Sequence, residues 1–278
     1  MAASSFSPRT GRRPGEVLSH LWRCRACGLI YRDSDYTVGA SSQNLDKASY
    51  VLPENEPLIM RGKRRVFEWI VRRLSHQFPL AAGRQRVVDF GCSYGRLGKA
   101  FQAAGWQVTG VDRAPGILDY HRRHGTFPVY PQLDVPEIPD GTVDVIAMID
   151  VIYYLQDPVG LLRVAHRKLA APGVVVLRVP NRNKYLRLAA WLQRLRWGDC
   201  VRRVELDHKS FWSVRSVRAA AREAGFSRAR ILRREHGYWY PWPRKLFHWG
   251  TQTVACLTRG LLDASTVFYA ELWKEPGG

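Results

Sequence analysis

A chain of 278 residues with 46% hydrophobic content can bury a substantial core, and its length suits one α/β domain with additions better than two full domains. The formal net charge of +19, from 43 Lys+Arg against 24 Asp+Glu, makes a surface that attracts anions, whether nucleic acid, an acidic membrane face or a phosphorylated molecule. No apolar run reaches the ~18–20 residues of a membrane span, which excludes a transmembrane helix, and five cysteines, an odd number, speak against a disulfide framework.

The polar start, residues 1–15, lacks the apolar stretch of a secretory signal, so the expected location is the cytoplasm with reduced thiols. Its composition offers too few apolar groups to offset the entropy of ordering and reads as a leader without structure. The segment Leu21-Trp-Arg-Cys-Arg-Ala-Cys-Gly-Leu-Ile-Tyr31 brings Cys24 and Cys27 together in one pair. A closed zinc site needs four ligands, normally two such pairs, and His20 stands too near to complete the tetrahedron. The expectation is a remnant hairpin that holds no metal. Residues 1–50 thus form a leader and hairpin, and 51–278 a main domain.

From 56 to 80, Leu58, Val66, Phe67, Ile70, Val71 and Leu74 recur at three- and four-residue spacings among Arg and Lys, which predicts an amphipathic helix. An alternation follows that sets the fold class. Strands are predicted at 86–90, 107–112, 129–133, 143–149 and 174–179, with helices at 96–104, 115–124 and 158–169. This rhythm requires right-handed crossovers and gives an α/β, doubly wound, Rossmann-like sheet. Beyond Pro180 the pattern loosens into a helix at 214–224 and strands at 229–233 and 266–273.

The segment Val87-Val-Asp-Phe-Gly-Cys-Ser-Tyr-Gly-Arg-Leu-Gly98 carries chemistry. An apolar strand enters a turn holding Gly91 and Gly95, with small Ser93 between them, and then a helix. That arrangement lets a ligand approach bare backbone at the carboxyl end of the first strand. Seventeen residues after Gly95, the second strand ends on Asp112, an acid placed to accept hydrogen bonds from a ribose diol. The nicotinamide dinucleotide fingerprint also combines a glycine turn with a later acid, but wants glycine where Ser93 stands. Asp89, before the first glycine, suits a cationic sulfonium and amino-acid group better than a pyrophosphate.

Asp89-Phe-Gly-Cys-Ser-Tyr-Gly95 resembles the D-x-G-x-G-x-G motif of class I S-adenosylmethionine-dependent methyltransferases, and Asp112 matches the acid ending their second strand. Leu133-Asp-Val-Pro-Glu-Ile-Pro-Asp-Gly-Thr-Val-Asp-Val-Ile146 is similar to the adenine-side segment, with Asp134 in the place of the residue near the adenine amine. The resemblance covers roughly residues 60–235, and the last predicted strand resembles the family's antiparallel seventh strand. It implies S-adenosyl-L-methionine as cofactor, about seven strands and a cytoplasmic biosynthetic enzyme. It places Asp150, after the fourth strand, beside Asp89, Gly91, Ser93, Gly95, Asp112 and Asp134 on the cofactor side. Tyr153 and Tyr154 fall where related enzymes contact donor and acceptor, and His208 beside the acceptor pocket is the candidate general base. One departure matters: Ser93 replaces the middle glycine, which is harmless at negative φ and costs about 1 kcal/mol or more at positive φ.

Two additions beyond the core fold, within 184–212 and 236–264, carry apolar and aromatic residues beside Arg and Lys. They predict a helical cap that closes over a small-molecule or lipid-like acceptor and could rest peripherally on an acidic membrane. The alternatives are an RNA methyltransferase, suggested by the charge, and a non-catalytic protein that binds the cofactor. Arg pairs scattered along the chain, and Asp150-Val-Ile-Tyr153 where nucleic-acid amino methylases carry N-P-P-Y, argue against nucleic acid. The intact Asp89, Asp112 and Asp134 set argues against loss of catalysis. No pattern specifies an oligomeric state.

Overall fold

The structure, a computed structural model, describes residues 3–6, 21–32, 58–78, 85–181, 208–232 and 267–276, with isolated positions 183, 186, 250 and 253. Its main sheet has seven strands: β4 (Arg86–Phe90), β5 (Gln107–Val111), β6 (Val129–Tyr130), β7 (Val143–Ile149), β8 (Leu169–Pro180), β10 (Arg228–Leu232) and β11 (Val267–Lys274). Their order is β10-β11-β8-β7-β4-β5-β6. The five strands from β8 to β6 are parallel, whereas β11 runs antiparallel to both β8 and β10. The doubly wound sheet with an antiparallel last strand is therefore present.

Each central strand is buried on both faces, so its residues divide between two apolar layers by the two-residue strand period. Along β7, Val145 and Ala147 join the layer under α1 (Leu58–Gln77) and α2 (Arg96–Ala103). Ile146 and Met148 join the layer under α4 (Pro158–Lys168) and α5 (Val214–Glu223). On α1 the spacing works as predicted: Val66, Ile70, Val71 and Leu74 are buried while Arg64, Arg65 and Arg72 are exposed. The helix α3 (Pro115–His124) connects β5 to β6. The sheet order reverses between β4 and β7, which puts a crevice beyond the carboxyl ends of these two strands.

The strand β8 begins earlier than the 174–179 expectation. Val143 pairs with Leu169 across a local irregularity in register, and Lys274 pairs with Gly173. Tertiary pairing thus draws residues 169–173, before the expected start, into the strand. Conversely β6 holds two residues rather than five, ending at Tyr130.

A second, antiparallel sheet has the order β1-β2-β3-β9, from β1 (Ala3–Phe6), β2 (Leu21–Cys24), β3 (Ile30–Arg32) and β9 (Ser210–Phe211). Strand β1 lies inside the stretch whose composition reads as leader. The Cys24–Cys27 turn joins β2 and β3 as the expected hairpin, and Ile30 pairs with Phe211. The hairpin is docked: Asn183 Nδ2 donates to Gly28 O at 2.7 Å, and Arg215 donates to Ala26 O at 2.8 Å. The predicted cap segments lie outside the described residues, apart from isolated positions and 208–212, within which His208 and Phe211 are buried.

One buried ion pair ties α1 to the sheet. Glu271 on β11 is fully buried and meets Arg73 of α1, with Nε to Oε1 at 2.5 Å and Nη2 to Oε2 at 3.1 Å. The Gln77 amide adds a longer contact at 3.4 Å. Breaking such a pair leaves an uncompensated buried charge, whereas replacing both partners by apolar residues is often nearly neutral. Arg73→Met is expected to lower stability by about 3 kcal/mol, read as a midpoint shift in urea denaturation, and Arg73→Met with Glu271→Leu to recover most of it. An equal loss in the single and double variants would show that the pair is not the tie.

Candidate functional site

At the carboxyl end of β4 the chain makes a turn that no ordinary residue sequence adopts without strain. Gly91, Ser93 and Gly95 have φ of 76°, 47° and 75°. At Gly95 a side chain is also excluded by space, since a Cβ would come 2.8 Å from both His121 Cε1 and Phe127 Cζ. Ser93 adopts positive φ, the costly case of the two foreseen, and is held there by hydrogen bonds. Its N–H donates to Asp112 Oδ2 at 3.0 Å, and its carbonyl accepts from His121 Nε2 at 2.7 Å. Asp112 Oδ1 accepts from the Ala114 N–H at 3.0 Å. The Asp112 carboxylate therefore staples the turn after β4 to the end of β5. Each of its oxygens keeps a second lone pair for a ligand hydroxyl.

Asp89 lies one residue before the end of β4, 3% exposed. Its Oδ2 accepts from the Gly98 N–H at 3.1 Å. Burial pushes its carboxyl up to about 7; the Gly98 hydrogen bond opposes this and the Asp112 charge adds to it. Beside them the buried Cys92 thiol is raised far above the thiol range, first by burial and then by the two carboxylates. This corner has excess negative charge and no cation of its own among the described contacts. Asp89, Gly91, Ser93, Gly95 and Asp112 are thus brought together as expected from the sequence.

Two further candidates are engaged elsewhere. Asp150, at the end of β7 with φ 60°, is gripped by Arg178 Nη1 at 2.5 Å to each oxygen, with Lys63 Nζ at 3.9 Å. It borders the crevice, but its carboxylate serves an ion pair. Asp134 is exposed and meets Arg167 at 2.6 Å and Lys168 at 3.2 Å, which end α4. Those cations also hold Asp140, just before β7, at the opposite end of the strands from Asp89. The structure therefore does not bring the Asp134 carboxylate to the Asp89 and Asp112 pair.

Beyond β7 a single helical turn, Ile152–Tyr154, presents Tyr153 and Tyr154. The His208 ring lies 4.0 Å from the Tyr153 ring and 5.4 Å, edge to face, from Tyr154. The Lys209 N–H donates to Tyr153 O at 2.9 Å, tying the two segments together. His208 and Tyr153, paired by sequence reading as acceptor-side residues, are in contact and buried. His121 escaped sequence reading, because one His on a basic helix carries no signal without its distant partner, Ser93. Among the described residues no cluster of three or more His, Cys, Asp or Glu could hold a metal, and His20 lies outside them. No described helix is long and apolar enough to cross a membrane.

Residues 60–229 match the family model described as "Methyltransferase domain". A ubiquinone biosynthesis O-methyltransferase of Pseudomonas aeruginosa is 28% identical over 148 residues, 51% of this chain and 64% of that protein. One of Bordetella parapertussis is 30% identical over 149 residues, 51% of this chain and 61% of that protein. The chain thus matches less than two thirds of the length of these relatives. Among solved structures, an Archaeoglobus fulgidus SAM-dependent methyltransferase superimposes with TM-score 0.50 at 18% identity, covering 75% of this chain and 94% of the other. A putative sarcosine dimethylglycine methyltransferase from Galdieria sulphuraria gives 0.51 at 19%, covering 79% and 91%. At these identities the structures speak to the fold alone.

The buried carboxyl has a consequence for the free protein. Because the folded value for Asp89, about 7, exceeds its ordinary value of 3.8, the folded state binds the proton more tightly. Its contribution to stability is complete below pH 3.8 and is lost as the pH rises to about 7. Between pH 5 and 8 the ligand-free parent should lose on the order of 3 kcal/mol relative to Asp89→Asn, measured by urea denaturation at each pH. A difference that does not change with pH would mean that Asp89 is ionised throughout.

Proposed function

The chain belongs to the methyltransferase-domain family, and from that premise we propose that it transfers a methyl group from S-adenosyl-L-methionine to a small-molecule acceptor, as a cytoplasmic O-methylation in a biosynthetic pathway. The observation that carries this reading is the pairing, on one strained turn, of the buried Asp89 carboxyl with the Asp112 staple. The donor set fits the cofactor. Asp112 offers free lone pairs to a ribose diol, and Asp89 offers a carboxyl whose ionisation a neighbouring cation would favour. The bound cofactor supplies an activated methyl on a positively charged sulfur.

The protein's own part is positioning, exclusion of water and proton removal. The turn after β4 fixes Asp89 and Asp112 relative to each other. The buried contact of Tyr153 with His208 forms a wall on the acceptor side, and well-oriented reactants gain up to ~7–11 kcal/mol in effective concentration. His208 is proposed as the base that takes the acceptor hydroxyl proton, which in general contributes about 10²–10⁴-fold. Lys209, next in the chain, is pulled below its usual range by burial and then by the nearby Arg113 charge. Two cations close together favour an acceptor that carries negative charge. The greasy cap proposed from 184–212 and 236–264 suits a lipid-like acceptor, and a peripheral membrane contact is part of the same proposal.

Asp112→Ala should weaken S-adenosylmethionine binding roughly ten- to a hundredfold by calorimetry, since a charge-assisted hydrogen bond contributes about 1.5–3 kcal/mol. Unchanged affinity would sink the site assignment. His208→Ala should lower kcat about a hundredfold or more with cofactor affinity intact. Parental turnover in that variant would remove His208 as the base.

A further inference from the structure

Ser93 and Asp150 are the two non-glycine residues with positive φ among the described residues, and they sit at the ends of the adjacent central strands β4 and β7. A non-glycine residue loses roughly five- to tenfold in population on entering the left-handed region. Serine at 93 therefore needs support that glycine would not. The support on its N–H side comes from Asp112, at 3.0 Å, which the cofactor reading already uses. On its carbonyl side it comes from His121, in the last turn of α3.

The His121 ring is locked in place. It is 7% exposed, packs 5.3 Å from Phe127 and 5.5 Å from Tyr120, and lies directly below Gly95, where it fills the space a Cβ would need. A carbonyl can only accept, so Nε2 must carry the proton that it gives to Ser93 O. The other ring nitrogen, Nδ1, is buried and makes no hydrogen bond among the described residues. Among the described residues the ring's single polar contact is therefore the one to Ser93. A buried imidazole with one nitrogen left unanswered is costly to keep; a ring needed only for packing would be better served by an apolar side chain.

We infer that His121 is a positioning residue for the cofactor turn: it holds Ser93 in the left-handed conformation that glycine adopts unaided, and serine at 93 depends on it. This rests on reading the turn as the cofactor site. Without the tie, the turn spends part of its time in relaxed conformations, and apparent affinity falls by the fraction of the binding-competent form. On this reading the effect of His121 on the ligand runs through the Ser93 backbone that it holds.

A double-mutant cycle isolates that coupling. The four proteins are the parent, His121→Leu, Ser93→Gly and the combination, titrated with S-adenosylhomocysteine by calorimetry. His121→Leu should weaken binding roughly five- to tenfold in the serine background and at most about twofold beside Ser93→Gly. His121→Gln, whose amide can donate to the same carbonyl, should restore affinity to within about threefold of the parent. The same four proteins are compared in urea, where the factor by which His121→Leu raises the unfolding equilibrium constant should likewise be five- to tenfold smaller beside Ser93→Gly. An equal effect of His121→Leu in both backgrounds, or none in the serine background, overturns the inference. If the parent fails to bind S-adenosylhomocysteine, the cofactor reading falls, and the urea cycle alone decides whether His121 supports Ser93.

Discussion

A carboxylate buried in an apolar sheet, answered by one backbone N–H, is the constraint on which the site depends. Asp89 sits between two hydrophobic layers, with the Gly98 amide as its partner and the Asp112 charge close enough to push its carboxyl further up. Such a group is held in place only if the surrounding backbone is rigid and if something later compensates its charge. The rigidity comes from the Asp112 staple, from the pairing of β4 with β5 and β7, and from the tight fit of Gly95 against His121 and Phe127. The compensation is what the proposed cationic ligand would bring. On this proposal the Asp89 carboxyl bears both on the stability of the free protein and on its affinity for the ligand.

Strain is concentrated where the ligand is proposed to bind. Ser93 and Asp150, both at positive φ, lie just beyond the carboxyl ends of neighbouring strands, and each is fixed by an outside partner, His121 for one and Arg178 for the other. A backbone held in this way loses little freedom on binding, so more of the interaction energy remains for the reacting geometry. On the side proposed for the acceptor the arrangement differs. Tyr153, His208 and the β9 strand form an aromatic wall that is continuous with the hairpin carrying Cys24 and Cys27 through the Ile30 to Phe211 pairing. Through that pairing the hairpin braces the segment that carries His208.

Much of this was legible in the sequence, for physical reasons. The central strands are buried on both faces and appear as short apolar runs, and the helices between them show their spacing plainly, so the fold class and the positions of most strands could be read. The Asp89 to Gly95 turn was legible because its glycines, Gly91 and Gly95, are required by local backbone geometry. What could not be read was set by distant partners. The start of β8 depends on pairing with β7 and β11; Asp134 turns toward Arg167, thirty-three residues on, and toward its neighbour Lys168, both set by the course of α4. The Asp150 carboxylate was assigned to the ligand by its position after β7, but Arg178, in the neighbouring strand, claims it. His121 was invisible for the same reason: its meaning lies in a carbonyl twenty-eight residues away.

The central claim is that Asp89 takes up negative charge when a cation arrives. Proton release on binding tests it most directly: S-adenosylmethionine is titrated at pH 6 in buffers of different ionisation enthalpy, and the slope of the observed heat gives the protons exchanged. With the Asp89 carboxyl at about 7, it is mostly protonated at pH 6, so the account predicts release of most of one proton per cofactor bound. Binding at pH 6 with no proton released would contradict it.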